Sequence, residues 1–276
     1  MKKETKWAII GLGFISQRHI DAIKDIGGKI IAGCDIDVEK HQKLPKETAF
    51  FDHFKDLIES EEFKEVEWVS VCTPNHLHYV HVMVCIEKGK KVICEKPLVT
   101  SVEHFNKLED VANGNLFPVL QLRHNPELQE IKEWIDKDRP VLDGELTLRM
   151  HRGDFYWKGW KGDDKKSGGI LFNIGVHYFD LLFWFFGKPV EWKIETLETD
   201  YAKGKIWFPN VNIKWELSLK APMDNQFRKF VIGERDIDLT RHFENLHTKV
   251  YQDALEGKKV SLSEIGRTIK QLIQMN

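Results

Sequence analysis

Three short stretches hold residue types whose spacing could do chemistry. In "VICEKPLVT", residues 92–100, an apolar run ends on Glu95 and Lys96, and Pro97 follows directly. Proline disfavours the helical region for the residue before it, so Lys96 is held extended at a strand end. In an open parallel sheet, ligands bind in the crevice beyond the carboxyl ends of the strands. A lysine placed there, partly desolvated and beside a positive group, loses basicity and becomes suited to proton exchange near neutral pH. In "LFNIGVHYFD", Asn173 and His177 stand four apart and Asp180 follows a turn later, so one helix face carries an amide and an imidazole. Burying such groups is costly unless they are hydrogen-bonded or used. Each stretch also has a plainer reading, a solvated turn for the first and a structural histidine for the second.

The third stretch, "GLGFIS", puts Gly11 and Gly13 in the first two positions of the dinucleotide fingerprint, with Ser16 where a third glycine or alanine is usual. It follows a strand, opens a helix, and has Asp35 at the end of the next strand. Gly11 allows the tight turn and Gly13 lets the backbone approach a pyrophosphate. The helix start at Phe14 and Ile15 offers free N–H groups to the phosphates. Asp35 would accept hydrogen bonds from the adenosine ribose and repel a 2′-phosphate, so NAD is expected rather than NADP.

Three further strand ends point at the same crevice. They are "CTPNHLH" with Thr73, Pro74, Asn75 and His78, "CEKP" with Glu95 and Lys96, and "QLRHN" with Gln121, Arg123 and His124. The first two and Gln121 are expected at the cofactor, Arg123 and His124 at the substrate. The loop "RGDFYWKGWKGDDKKSGG" adds Arg152, Tyr156, Trp157, Trp160 and Lys161 ahead of Gly168 and Gly169. That mixture could hold an anion and stack a ring, or could be a solvated loop pinned by its aromatics.

The elements that must position these residues alternate. Strand-like "WAIIGL", "KIIAGCDID", "WVSVCT", "KVICE" and "FPVLQLRH" are separated by helical periodicity, notably "FISQRHIDAIKDI" with Ile15, His19, Ala22, Ile23 and Ile26 on one face. Such alternation predicts an α/β fold beginning with a doubly wound parallel Rossmann sheet. After one more helix, "PELQEIKEWIDK", the rhythm changes to period-two segments: "GELTLRMHR", "EWKIETLETD", "KIWF", "VNIKWELSL" and "FVIGERDIDL". They predict a C-terminal α+β domain with a large open, mainly antiparallel sheet. The expected division is residues 1–122 for the NAD-binding domain and 123–276 for the second domain.

Composition narrows the partners. The 276 residues are 42% hydrophobic and 30% charged, with nine tryptophans and a formal charge of -2, which argues against a nucleic-acid binder. Cys34, Cys72, Cys85 and Cys94 lack the paired spacing of a metal site and read as small buried hydrophobes in a reducing compartment, so no metal is expected. The apolar segment "ILFNIGVHYFDLLFWFFG" carries Asn173, His177 and Asp180 and reads as a buried helix rather than a membrane span. No signal-like apolar region precedes the first strand, and a cytoplasmic location is expected.

The fingerprint, "TPN", "EKP" and the "NIGVH" helix occur in the order found in the Gfo/Idh/MocA family of nicotinamide-dependent sugar oxidoreductases, and the resemblance covers nearly the whole chain. "VCTPNHLHY", "LQLRHN", "WKGWKGDDKKSGG" and "NIGVHYFDLLFWFFGK" look most like its WlbA and WbpB group, the UDP-N-acetyl-2-amino-2-deoxyglucuronate 3-dehydrogenases. The resemblance implies NAD-dependent oxidation of the 3-hydroxyl of a UDP-linked N-acetylated glucuronic acid in cell-surface polysaccharide biosynthesis. It places the family's catalytic lysine on Lys96 and its helix histidine on His177. Asn173 stands where many members have an aspartate, and an amide can position a group but cannot act as a base. Arg152, Trp160, Lys161, Asn173 and His177 become the expected sugar contacts, and a homo-oligomer, dimer or tetramer, is expected through the open sheet. Members commonly continue beyond the point corresponding to "QLIQMN", a departure that bears on those oligomer contacts. Two rival readings are a dehydrogenase of another sugar or polyol, and an NAD-binding protein without turnover.

Overall fold

The computed structural model describes residues 4–241, 244–258 and 260–276. They form two compact units. One runs to Gln121 and takes in Asn245–Leu262; the other comprises Leu122–Glu244 and Ser263–Asn276. A division at residue 122 alone therefore leaves out a return of the chain. Tyr251, Val250 and Ala254 draw that return into the first unit by packing in one core with Trp7, Ile23 and Trp68.

In the first unit, β1 (Lys6–Ile10), β2 (Lys29–Cys34), β3 (Ala49–Phe51), β4 (Trp68–Val71), β5 (Lys91–Cys94) and β6 (Leu116–Pro118) form a parallel sheet in the order β3-β2-β1-β4-β5-β6. The connections include helices α1 (Ser16–Asp25), α2 (Phe54–Glu59), α3 (Glu61–Glu65), α4 (His78–Glu87) and α5 (Val102–Ala112). Every residue of β4 is buried, as expected for a strand covered on both faces. The strand order reverses between β1 and β4, which makes the crevice outside their carboxyl ends the natural ligand position. Trp7 of β1 stacks on Trp68 of β4 with ring centroids 5.1 Å apart, so the two switch-point strands are also locked through side chains. The strand expected through "FPVLQLRH" stops at Pro118, and Gln121–His124 wind into a short 3-10 turn. Val119, Leu120 and Leu122 are buried all the same. Their apolar run signalled burial, which a short run cannot distinguish from extension.

The second unit begins with α6 (Pro126–Asp138), whose N-cap Asn125 accepts hydrogen bonds from Glu127 N and Leu128 N. Its sheet consists of β7 (Leu142–Arg149), β8 (Glu191–Leu197), β9 (Tyr201–Trp207), β10 (Val211–Ser218), β11 (Phe227–Ile232) and β12 (Arg235–Asp238), ordered β12-β11-β7-β10-β9-β8. All pairings are antiparallel except β7 with β10. The alternating segment "FVIGERDIDL" is a hairpin, not one strand, because Gly233 adopts a φ of 56° and reverses the chain. Val211, Ile213, Trp215 and Leu217 of β10 form one buried row, with Asn212 and Lys214 on the opposite face. That row faces the helical layer. Between β7 and β8 lie α7 (Asp154–Lys158), α8 (Asp164–Ser167) and α9 (Val176–Phe186), and Phe179 of α9 meets Trp215 edge-on at 5.1 Å. Helix α10 (Leu246–Leu255) belongs to the first unit, and α11 (Leu262–Met275) closes the second.

All four cysteines are buried and unpaired, and burial pushes the thiols of Cys34 and Cys85 up to about 12. They serve as packing groups. Among the described residues one helical stretch, residues 164–186, has the length and hydropathy of a membrane span, and 72% of its apolar 18-residue window is buried inside the structure.

Candidate functional site: a nucleotide crevice and a π turn

The nucleotide end is built around Gly11. Its φ is 88°, and a Cβ there would lie 2.8 Å from the carbonyl carbon of Cys72 and the nitrogen of Thr73. Only glycine lets the β1 turn pack on the β4 end. A Cβ on Gly13 would meet nothing within 4 Å, so the space before it is open. No side chain caps α1, and Ser16 Oγ donates instead to Gly13 O at 2.7 Å. The first N–H groups of the helix are thus left for an anion.

Asp35 is almost fully buried at the end of β2. Its Oδ2 accepts Leu12 N at 2.6 Å, while Oδ1 accepts Asp37 N at 2.9 Å and Lys40 Nζ at 3.1 Å. Lys43 Nζ donates to Leu12 O and Gly13 O at 2.9 and 2.8 Å, which brings a cation to the glycine turn. Phe14 and Ile36 are 86% and 88% exposed, unusual for side chains of that size and suited to flanking a flat base. Ile15, on the same turn, packs partly into the core.

The next two strand ends are tied together by His78. Its Nδ1 lies 2.7 Å from Pro97 O and its Nε2 2.7 Å from Thr73 O, so it couples the "TPN" and "EKP" loops. Burial pulls the His78 ring below its ordinary value although both carbonyls favour the proton. Thr73 Oγ1 contacts His81 Nδ1 at 3.0 Å, and Asn75 is buried at the start of a short turn behind Pro74. Glu95 is turned inward. Its Oε1 lies 3.0 Å from His19 Nε2 and 3.3 Å from His247 Nε2, and its Oε2 accepts Lys96 N at 3.2 Å. His19 Nδ1 meets Tyr251 Oη at 2.7 Å, which in turn meets Ser70 Oγ at 2.6 Å. The ligand-type atoms of His19, Glu95 and His247 all lie within 4.8 Å of one another, and each imidazole is at hydrogen-bond distance from the carboxylate. Glu95 and His78, expected at the cofactor, thus spend their polar atoms holding the loop from which Lys96 projects, half-buried. Gln121 Oε1 is buried with no hydrogen-bond partner among the described residues. An orphaned acceptor, the uncapped helix start and the open space before Gly13 fit a bound dinucleotide.

In the second unit, Leu171–Gly175 form a wide π turn that leads directly into α9. Such turns are frequent at functional sites. Asn173, within it, donates to Tyr156 Oη at 2.6 Å, and burial pushes the Tyr156 hydroxyl up. Arg152 stacks over the Tyr156 ring at 5.6 Å, and Trp157 Nε1 donates to Arg152 O at 3.0 Å. His177 lies half-buried on α9. Trp160 and Lys161 sit together on a short turn, with Lys161 Nζ 5.7 Å from the Trp160 ring. Arg123 corrects an expectation. Its Nε and Nη2 grip Asp180 at 2.9 and 2.8 Å, its Nη1 donates to Glu264 at 2.6 Å, and it is 8% exposed. Bidentate pairing and burial make it an anchor for α9 rather than a substrate group. His124, beside it, is half-buried on the 3-10 turn.

Residues 5–116 match the family described as "Oxidoreductase family, NAD-binding Rossmann fold", and residues 129–234 match the GFO/IDH/MocA C-terminal domain. The chain belongs to the Gfo/Idh/MocA family. Its NAD-binding Rossmann unit carries the cofactor, and Gly11, Gly13, Asp35 and Gln121 are the groups whose geometry fits it. A similar solved structure of the family is the WlbA (WbpB) dehydrogenase from Thermus thermophilus in complex with NAD and UDP-GlcNAcA. It is 30% identical, with a TM-score of 0.89, over 98% of this chain and 94% of that one. Glucose-6-phosphate 3-dehydrogenase from Bacillus subtilis is 26% identical over 66% of this chain and 53% of its own length. An inositol 2-dehydrogenase/D-chiro-inositol 3-dehydrogenase from Lactiplantibacillus plantarum is 24% identical over 74% and 56%. The chain spans about half the length of the curated relatives it matches.

Sequence reasoning missed several parts of this family member's site. His19, Ser70, and His247 with Tyr251 are brought around Glu95 from three separate segments, and none has a local motif. Lys40 and Lys43 follow Asp35 closely and were legible in principle, since a cation a turn beyond an acid at a strand end is a local signal.

Proposed function

We propose that this chain uses NAD to oxidise the 3-hydroxyl of a UDP-linked N-acetylated glucuronic acid to the 3-keto sugar, in the biosynthesis of a cell-surface polysaccharide. The observation that carries the reading is the end-to-end likeness to a 30% identical dehydrogenase solved with NAD and UDP-GlcNAcA. When bound, NAD takes the hydride released by the carbinol carbon. Lys96 and His177 share the proton work, one accepting the hydroxyl proton and the other orienting the oxygen. Asn173, held by Tyr156, positions the sugar or the histidine. Arg152, Trp160 and Lys161 contribute to the substrate end, and the open sheet is the proposed face for homo-oligomer contacts.

A second reading, oxidation of a different sugar or polyol, is favoured by the relatives that act on glucose 6-phosphate and inositols. NADH absorbance decides between them. Purified full-length chain with NAD and UDP-N-acetylglucosaminuronic acid, with and without 2-oxoglutarate, should reduce NAD or turn over in the presence of the oxo acid. Reduction only with inositols or sugar phosphates supports the second reading. Proven NAD binding with no turnover on any of these would leave an NAD-binding protein without catalysis.

A further inference from the structure

Two core-facing rows of the second sheet each end in an arginine. On β11, Ile232 and Phe230 are fully buried towards the helical layer, and Arg228 has the same parity. On β7, Leu146, Leu148 and Met150 form the matching buried row, and Leu148 is the register partner of Arg228. The bridge from His151 to Lys220 carries the strand direction past Met150, so Arg152 continues that row, with Nη2 3.5 Å from Met150 Sδ. Both arginines are half-buried. Among the described residues, no ion pair joins either to a carboxylate, and the Arg152 guanidinium meets His151 O, Met150 Sδ and the Tyr156 ring, none of them an acid. Burial pulls the Arg152 guanidinium below its ordinary value, and the charge of Arg228 acts in the same direction. Tyr178, buried on α9, feels both cations. Arg123 makes the contrast, since this unit satisfies its other buried guanidinium with two carboxylates.

We propose that Arg152 and Arg228 form a seat for the negatively charged substituent of the sugar, a uronate carboxylate or a phosphate ester, and so select acidic over neutral sugars. Two half-buried cations of like charge without an acid are unfavourable alone and become favourable when an oxyanion pairs with them. Tyr156 and Asn173 lie beside Arg152, which places the seat next to the π turn that leads to His177. The proposal rests on the reading that the second unit binds the sugar, and it extends that reading to Arg228.

The test uses the full chain loaded with NADH. Calorimetric titration with glucuronate, glucose 6-phosphate and glucose is followed by kcat and KM for UDP-N-acetylglucosaminuronic acid and UDP-N-acetylglucosamine. Wild-type protein should bind one of the two acids and not glucose, and the acid it binds identifies carboxylate or phosphate as the natural anion. Arg228→Gln should weaken that acid about tenfold to a hundredfold, with little change for the neutral sugar, and Arg152→Gln should weaken the acid at least as much. Arg228→Lys, which keeps the charge, should recover part of the loss. Acid binding lost in Arg228→Gln, with no turnover of the nucleotide sugar, would keep the seat and refute the proposed reaction. Equal use of acidic and neutral sugars by wild type, or equal losses for both in Arg228→Gln, would overturn the seat whatever the reaction proves to be. If Arg228→Gln melts early, wild-type selectivity and Arg228→Lys still decide.

Discussion

Glu95 Oε1 lies 3.0 Å from His19 Nε2, inside the core and 76 residues away in the chain. Burial works against the charge on Glu95, yet the hydrogen bonds from His19 and His247 outweigh it and hold the carboxyl well below its usual range. Burial also pulls the His19 ring down, against the pull of Glu95. An ionised carboxylate braced by imidazoles thus stands behind the backbone of Lys96.

This arrangement makes stability depend on pH with a definite sign. His19, His78 and His81 all have folded values below the ordinary 6.5, and His81 falls to about 4. The unfolded chain therefore binds more protons, and stability is full above 6.5 and lost as pH falls from there, with Glu95 adding its share below 4.5. The fall for His81 from 6.5 to about 4 corresponds to on the order of 3 kcal/mol. Melting temperature should be level from pH 8 to 7 and decline below it, and His81→Asn should flatten part of that decline. An unchanged slope in the variant would remove His81 from the account.

Gly11→Ala should cost at least about a hundredfold in NAD affinity, since its Cβ would strike the Cys72 backbone and its φ is unfavourable for any side chain. Quenching of protein fluorescence by NADH measures this. Affinity near wild type would mean that the β4 end can move aside.

Asp35→Ser should raise NADP affinity relative to NAD by about tenfold or more. It removes the charge that repels a 2′-phosphate and leaves Lys40, 3.1 Å from the lost carboxylate, with only the longer 3.7 Å pairing to Asp37 to compete with one. Parallel titrations with both reduced cofactors read the ratio directly, and a constant ratio would show that Asp35 does not set the preference.

The nucleotide end was legible because its signals are local. Gly11, Gly13, Ser16 and Asp35 fall within one strand-turn-helix-strand unit, and each type has one physical reason to be there. Arg123 was legible as an important residue but not in its role, because Asp180 and Glu264 lie 57 and 141 residues further on. Polar groups near a strand end look alike in sequence whether they face a ligand or a distant partner in the same unit. Pro118 and Gly233 show the same limit for elements. The apolar run through Phe117 and the alternation through Ile232 are plain in the sequence, whereas the backbone turns after Pro118 and at Gly233 cut both short.

Asp180→Asn should destabilise the second unit by about 3–5 kcal/mol, because it leaves the Arg123 guanidinium buried with half its pairing gone. Urea unfolding monitored by tryptophan fluorescence tests this, and a loss below about 1 kcal/mol would mean that Glu264 suffices alone.

Lys96→Met and His177→Asn should each lower kcat by about a hundredfold or more while leaving NADH affinity within a few-fold of wild type. Turnover retained in both variants would sink the proton roles assigned to them.

The α10 segment, which seats Tyr251 against Trp7 at 5.1 Å and His247 against Glu95, has a consequence for biogenesis. A ribosome releases the sheet of the first unit long before it makes the helix that finishes that unit's core. Until residue 254 emerges, the nascent chain displays a tryptophan pair and an acid braced by His19 without His247, a patch for a chaperone to cover. A fragment ending at Gln121 should accordingly aggregate, and supplying residues 245–262 as a separate peptide should rescue it.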